Sequence, residues 1–195
     1  EGGWGRTFER IRDGETRGRI LKEMREPDAG WENLCRLAGS PGRIKLVGNI
    51  MIDSLVRSVE KARTMDTCDR FGLTAGDFGV VTLHRPANVD DPDTLARIMD
   101  VLVGMKIPLV FPVHPRTIGR LEAFGLLEKM QAARGIVQQP PLGYLEFLAM
   151  TSQAKVIVTD SGGLQEESTA LGIPCLTMRE NTERPVTRLE GHPDP

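Results

Sequence analysis

From residue 43 onward the apolar positions follow two spacings that alternate along the chain. Short runs of β-branched and other apolar residues stand at 78–83 (F-G-V-V-T-L), 109–113, 136–138, 156–159 (V-I-V-T) and 175–178. Runs of this length bounded by turn residues predict strands buried in a parallel sheet. Between them, 93–105 carries Leu95, Ile98, Met99 and Leu102 on one stripe. The segment after residue 163 places Leu164, Glu167, Ser168 and Leu171 at helical spacing, and 117–124 and 144–151 read as shorter helices. Asp90 or Asp91 can cap the helix at 93, whereas Gly172 can end the last helix and Pro174 keeps it from continuing. Upstream, 43–47 (R-I-K-L-V) alternates apolar and charged residues as a strand with one wet face. Gly48 and Asn49 then turn the chain into an amphipathic helix from Ile50 to about Met65 that starts with Ile50, Met51, Ile52, Leu55 and Val56. Strands alternating with helices at these distances predict right-handed βαβ units: an α/β, Rossmann-like parallel sheet with helices on both faces.

Residues 1–40 break the pattern. They are polar, rich in Arg, Glu and Gly, and read as loop with short helices over 15–24 and 30–37, and 66–77 resembles a linker. A length of 195 residues suffices for one large domain, or one domain with an appendage. A net charge of -2 and a pI near 6.0 leave no electrostatic footprint for nucleic acid or an anionic membrane. No apolar run is long enough to span a bilayer. Cys35, Cys68 and Cys175 are odd in number and lack C-x-x-C spacing, which favours a reducing, cytoplasmic setting without a zinc site, and Cys175 fits as a small apolar strand residue. The N-terminal E-G-G-W-G-R is no signal peptide and carries no initiator methionine, so the chain is expected to start partway through a larger reading frame.

In a parallel sheet of this kind the ligand belongs at the carboxyl ends of the strands. His84 and Arg85 follow the first strand, His114 and Arg116 the second, and residues 140–143 the third. Ser161, Gly162 and Gly163 follow the fourth, and residues 179–184 the fifth, so every unusual polar cluster falls on one edge. A strand, a small-residue turn and a helix gather backbone N–H groups and the positive end of the helix dipole, which suits a phosphate. On the glycines alone, S-G-G reads equally well as a tight turn. Arg184 can grip phosphate bidentately, Glu167 can accept from a ribose diol, and His84 can donate to phosphate or move a proton near neutral pH. Phe147 suits either a wall for a base or a place in the core, while backbone groups near Leu142 and Gly143 could read a base edge. Neither a metal motif nor the nicotinamide fingerprint G-x-G-x-x-G occurs, and no cofactor is called for.

The full strings are more specific than the glycines. D-S-G-G-L-Q-E-E (160–167), L-G-I-P-C-L-T-M-R (171–179), T-E-R-P (182–185), V-V-T-L-H-R-P-A-N-V-D (80–90) and F-P-V-H-P-R-T (111–117) together resemble the non-hydrolysing UDP-N-acetylglucosamine 2-epimerases, over roughly residues 44–187. Gly48, Asn49, Ile52 and Asp53 match that family's G-N-x-x-I-D, where its chain passes between two domains.

The resemblance implies the C-terminal half of a GT-B-like two-domain fold. Residues 1–47 would be a remnant of the first Rossmann-like domain, 48–76 a connecting helix and linker, 77–187 the UDP-binding domain and 188–195 a truncated tail. It places His84, Phe147, Ser161, Gly162, Gly163, Glu167 and Arg184 at UDP-binding positions. His84, Glu1 and Glu15 are assigned to catalysis, with Glu1 and Glu15 matched through E-G-G-W-G-R and G-E-T-R-G-R, although both read equally as surface acids. His114 and Arg19 become possible regulatory or substrate contacts. The activity implied interconverts UDP-GlcNAc and UDP-ManNAc through UDP elimination, a 2-acetamidoglucal and re-addition, in a cytoplasmic homodimer serving polysaccharide synthesis. One acid of the family's first domain has no counterpart in the chain, so the chain alone is expected to bind UDP weakly and turn over little or nothing. A hydrolysing epimerase or a retaining glycosyltransferase on the same scaffold, or a non-catalytic UDP-sugar-binding module, are the alternatives.

Overall fold

The computed structural model describes residues 49–179. The elements expected at 15–24, 30–37 and 43–47 lie outside them. Helix α1 (Ile50–Arg63) and the short α2 (Thr67–Arg70) lead into four strand-and-helix repeats and a fifth strand. These are β1 (Gly79–Thr82), α3 (Pro86–Val89) and α4 (Pro92–Gly104); β2 (Leu109–Pro112), α5 (Pro115–Ala123) and α6 (Leu127–Ala132); β3 (Ile136–Gln139) and α7 (Tyr144–Thr151); β4 (Val156–Thr159) and α8 (Gly162–Leu171); and β5 (Cys175–Thr177). Every strand pairing is parallel, and the order across the sheet is β3-β2-β1-β4-β5. The chain therefore steps outward from β1 to β3, then returns past its starting strand to lay down β4 and β5. Between β1 and β4 the direction of winding reverses, and the helices that follow these two strands leave on opposite faces.

Alternate strand residues divide the core as a period of two requires. Val81, Leu109, Phe111 and Val158 face α4, α5 and α6, where they meet Leu95, Ile98, Met99, Leu102, Leu121 and Met130. Val80, Val110 and Ile157 face the other way, onto Met150 of α7, Leu164 of α8 and Cys68 of α2. A third layer covers that second face: Ile52, Leu55 and Ala62 of α1 pack on Leu148 and Ala149 of α7 and Ala170 of α8. Helices α7 and α8 are thus covered on two sides. This explains why α8 buries Gln165, Glu166, Thr169 and Ala170 as well as the Leu164 and Ser168 that its spacing marks.

Three short helices, α2, α3 and α6, are absent from the periodicity because one turn cannot display a repeat. Asp91, not Asp90, caps α4, accepting from the Thr94 N–H at 2.8 Å. Asp90 instead takes Arg116 and Arg120 into ion pairs that tie α5 to the loop after β1. Among the described residues no helix is long and apolar enough to cross a membrane.

Candidate functional site

The fourth repeat builds the first half of the site. Strand β4 ends at Thr159, whose hydroxyl meets that of Thr82 on β1 and accepts the Ser161 N–H at 3.0 Å. Ser161 is the N-cap of α8, and its Oγ accepts from the Leu164 N–H at 3.4 Å. That bond uses a lone pair and leaves the hydroxyl proton available. The N–H groups of Gly162 and Gly163 belong to the first turn, which has no intrahelical partner to offer them, and the helix dipole adds positive potential there. A Cβ on Gly163 would stand 2.7 Å from the Met51 Cε of α1, the end of a flexible side chain that can move aside.

Asp160 links this helix end to β1. Its carboxylate is fully buried and accepts from the backbone N–H of His84 at 2.9 Å, of Arg85 at 2.8 Å, and from Asn88 Nδ2 at 3.1 Å. His84 Nδ1 lies 2.9 Å from the other oxygen. Asn88 Nδ2 also donates to the Met178 carbonyl at 2.8 Å, so one amide joins the ends of β1, β4 and β5. In sequence, Asp160 reads only as a turn residue and Asn88 as part of a motif. Their role emerges once β1 and β4 are neighbours.

The second strand contributes His114. Its ring centroid lies 5.5 Å from that of His84, at 41° between planes. His114 caps α5, with Nδ1 accepting the Arg116 N–H at 3.1 Å, so the neutral ring carries its proton on Nε2. The Arg116 guanidinium turns away to Asp90.

Glu167 is half-buried one turn into α8. Burial, and then the neighbouring Glu166 carboxyl, push it up to about 7. Glu166 is itself buried and accepts from Asn49 Nδ2 at 3.1 Å. Phe147 is half-buried and packs, with Leu142, against the cluster that includes Leu164, so it stands at the boundary of core and cleft. Burial also raises the thiols of Cys68 and Cys175. Among the predicted residues, His84, His114, Ser161, Gly162 and Gly163 sit at the carboxyl ends of the central strands, with Glu167 and Phe147 on the helices beside them. Glu1, Glu15, Arg19 and Arg184 lie outside the described residues.

A parallel sheet whose winding reverses beside an open helix N-terminus defines a Rossmann-like module with its ligand crevice at the switch point. The comparisons make this class specific. The model of the UDP-N-acetylglucosamine 2-epimerase family matches residues 27–193, and the chain belongs to that family. A UDP-N-acetylglucosamine 2-epimerase of Methanococcus maripaludis is 37% identical over 162 residues, covering 80% of this chain and 44% of the relative. A UDP-2,3-diacetamido-2,3-dideoxy-D-glucuronate 2-epimerase of Pseudomonas aeruginosa is 38% identical over 145 residues, covering 72% of this chain and 38% of the relative. The Methanocaldococcus jannaschii UDP-GlcNAc 2-epimerase, solved in complex with UDP-GlcNAc and UDP, superimposes with a TM-score of 0.71 at 36% identity, over 81% of this chain and 45% of that one. The chain spans less than half the length of these relatives.

Proposed function

We propose that this chain carries the UDP-binding half of a nucleotide-sugar 2-epimerase, with UDP-GlcNAc as substrate and UDP-ManNAc as product. The observation that carries the proposal is the convergence of His84, Ser161 and the first-turn amides of α8 on the crevice between β1 and β4. In this reading the diphosphate lies on the N–H groups of Gly162 and Gly163, accepts a hydrogen bond from the Ser161 hydroxyl, and is gripped by Arg184. His84 faces the same phosphates, Glu167 accepts from the ribose diol, and Phe147 walls the uracil. The complete protein is proposed to be a cytoplasmic homodimer of two-domain, GT-B-like subunits, with residues 77–187 as the UDP-binding domain and residues 48–76 as the connection to the first.

The chemistry is an elimination followed by an addition. A base removes the C2 proton, the C2–H electron pair becomes the C1=C2 bond, and the C1–O pair leaves with UDP. After the 2-acetamidoglucal turns over, the UDP oxygen attacks C1 and C2 is reprotonated on the opposite face. The cradle must hold UDP throughout, because losing it would convert epimerisation into hydrolysis. Glu1, Glu15 and His84 are the proposed acid and base groups, and His114 with Arg19 the proposed contacts to substrate or regulator.

A second substrate is favoured by the Pseudomonas relative, named for a diacetamido-glucuronate yet 38% identical in this same half. A cradle that grips UDP suits either sugar. The test is a proton NMR time course of each UDP-sugar with the 195-residue chain and with the protein encoded by its full reading frame. Broadened uridine signals with the chain, and new anomeric signals from UDP-GlcNAc with the full protein, are expected. Unchanged uridine lines would overturn the UDP assignment, and turnover of the uronate sugar alone would reassign the substrate.

A further inference from the structure

We propose that Asp160 is a positioning residue which fixes His84 as its Nδ1–H tautomer, so that Nε2 is the nitrogen presented to the cleft, and that Asn88 holds Asp160 in place for this. The proposal deepens the UDP reading and rests on it only for what Nε2 meets. The two oxygens of Asp160 are met by three donors from the segment after β1, two backbone N–H groups and Asn88 Nδ2, and the His84 ring stands beside them with Nδ1 2.9 Å from Oδ1. With no solvent exposure, its Oδ1 has no water to replace Nδ1. Were Nδ1 bare, a lone pair would face a buried carboxylate at 2.9 Å, so Nδ1 must carry the hydrogen.

Swinging the ring over would place a carbon against that oxygen and forfeit a charge-assisted bond. On its other side the His114 ring, centroid 5.5 Å away, limits the swing. His84 keeps 39% of its side chain exposed, and with Nδ1 turned inward the exposed edge carries Nε2. Neutral, Nε2 is an acceptor; protonated, it is a donor to a phosphate oxygen, while Nδ1–H stays on Asp160 in both forms. The buried carboxylate beside an anionic ligand is balanced by the helix terminus that Ser161 opens and by this imidazole between the two charges. The two histidines are set oppositely: His84 carries its proton on Nδ1, His114 on Nε2.

The 195-residue protein labelled with ¹⁵N-histidine tests this by long-range proton–nitrogen correlation of the ring nitrogens, at a pH about two units above the ordinary imidazole value of about 6.5. Replacing each of the three histidines by Gln assigns the signals. A protonated Nδ1 for His84 beside a protonated Nε2 for His114 is expected, and an Nε2–H tautomer at His84 overturns the proposal with no variant of Asp160 needed. In Asp160→Asn the amide oxygen still serves the backbone N–H groups while its NH₂ turns to His84, so the tautomer should switch. UDP affinity should then fall about ten- to a hundredfold, the range typical of outer partners that orient a functional imidazole. Retention of the Nδ1–H tautomer in a folded Asp160→Asn protein would reduce Asp160 to a structural tie. A wild-type protein with the expected tautomers but no UDP binding would remove the UDP reading and leave the Asp160 assignment standing.

Discussion

Glu167 and Asp160, seven residues apart on the same strand-to-helix unit, show how differently two acids are treated by one fold. Asp160 is fully buried but met by three hydrogen-bond donors and by the His84 ring. Glu167 is half-buried, and burial raises it from 4.5 to about 7, helped by Glu166. A raised acid means the folded chain holds the proton more tightly than the unfolded one. Stability is therefore full below about 4.5 and declines as pH rises towards about 7. Urea titrations across that range should show this loss, and Glu167→Gln should remove it, by something of order 1 kcal/mol once solvent screening is allowed for. An unchanged pH profile in the variant would contradict the assignment. Asp90 and Asp91 are shifted the other way, by Arg116 and by Thr94 respectively, so their contributions vanish only in more acid solution. Ser161 has a separate structural duty as N-cap. Ser161→Ala should cost about 1 kcal/mol in urea melts without ligand, while Ser161→Gly costs a few tenths.

At the scale of elements, the strands and long helices were legible because their apolar spacing is a direct record of what they bury. Residues 144–151 and 156–159 match α7 and β4, and the predicted stripe Leu95, Ile98, Met99 and Leu102 is the buried face of α4. Gly172 ends α8 in the left-handed region at φ 70°, as its place before Pro174 suggested. Gly172→Ala should destabilise by about 1 kcal/mol through that conformation alone, read from thermal or urea midpoints. The burial of Glu166 was not legible, since it depends on α1 covering α8, a contact between segments more than a hundred residues apart. Phe111 lies fully buried under α4 and α5, so Phe111→Ala should cost about 3–5 kcal/mol.

For the whole molecule, the parallel sheet followed from strand and helix alternation, but its order did not. Nothing in the local spacing states that β4 lies beside β1. That adjacency brings Asp160 to His84 across 76 residues and places both beside the Ser161 cap. The motif strings fall together at one edge of the sheet because they follow strand ends, a regularity that survives without knowing the order. Asp160 and Asn88 stayed hidden because a turn aspartate and an asparagine on a one-turn helix have many ordinary uses, and only the reversal of winding gives these two a shared task.

That shared crevice is the centre of the account, and an amide shift map of the ¹⁵N-labelled chain titrated with UDP tests it most directly. The largest shifts should fall on Ser161, Gly162, Gly163 and the His84 and Arg85 amides, with little change at the opposite edge. A groove there, lined by Phe71, Leu73, Lys106 and Pro108, is the natural control. Saturable shifts confined to that groove, or none anywhere at millimolar UDP, would contradict the placement of the nucleotide between β1 and β4.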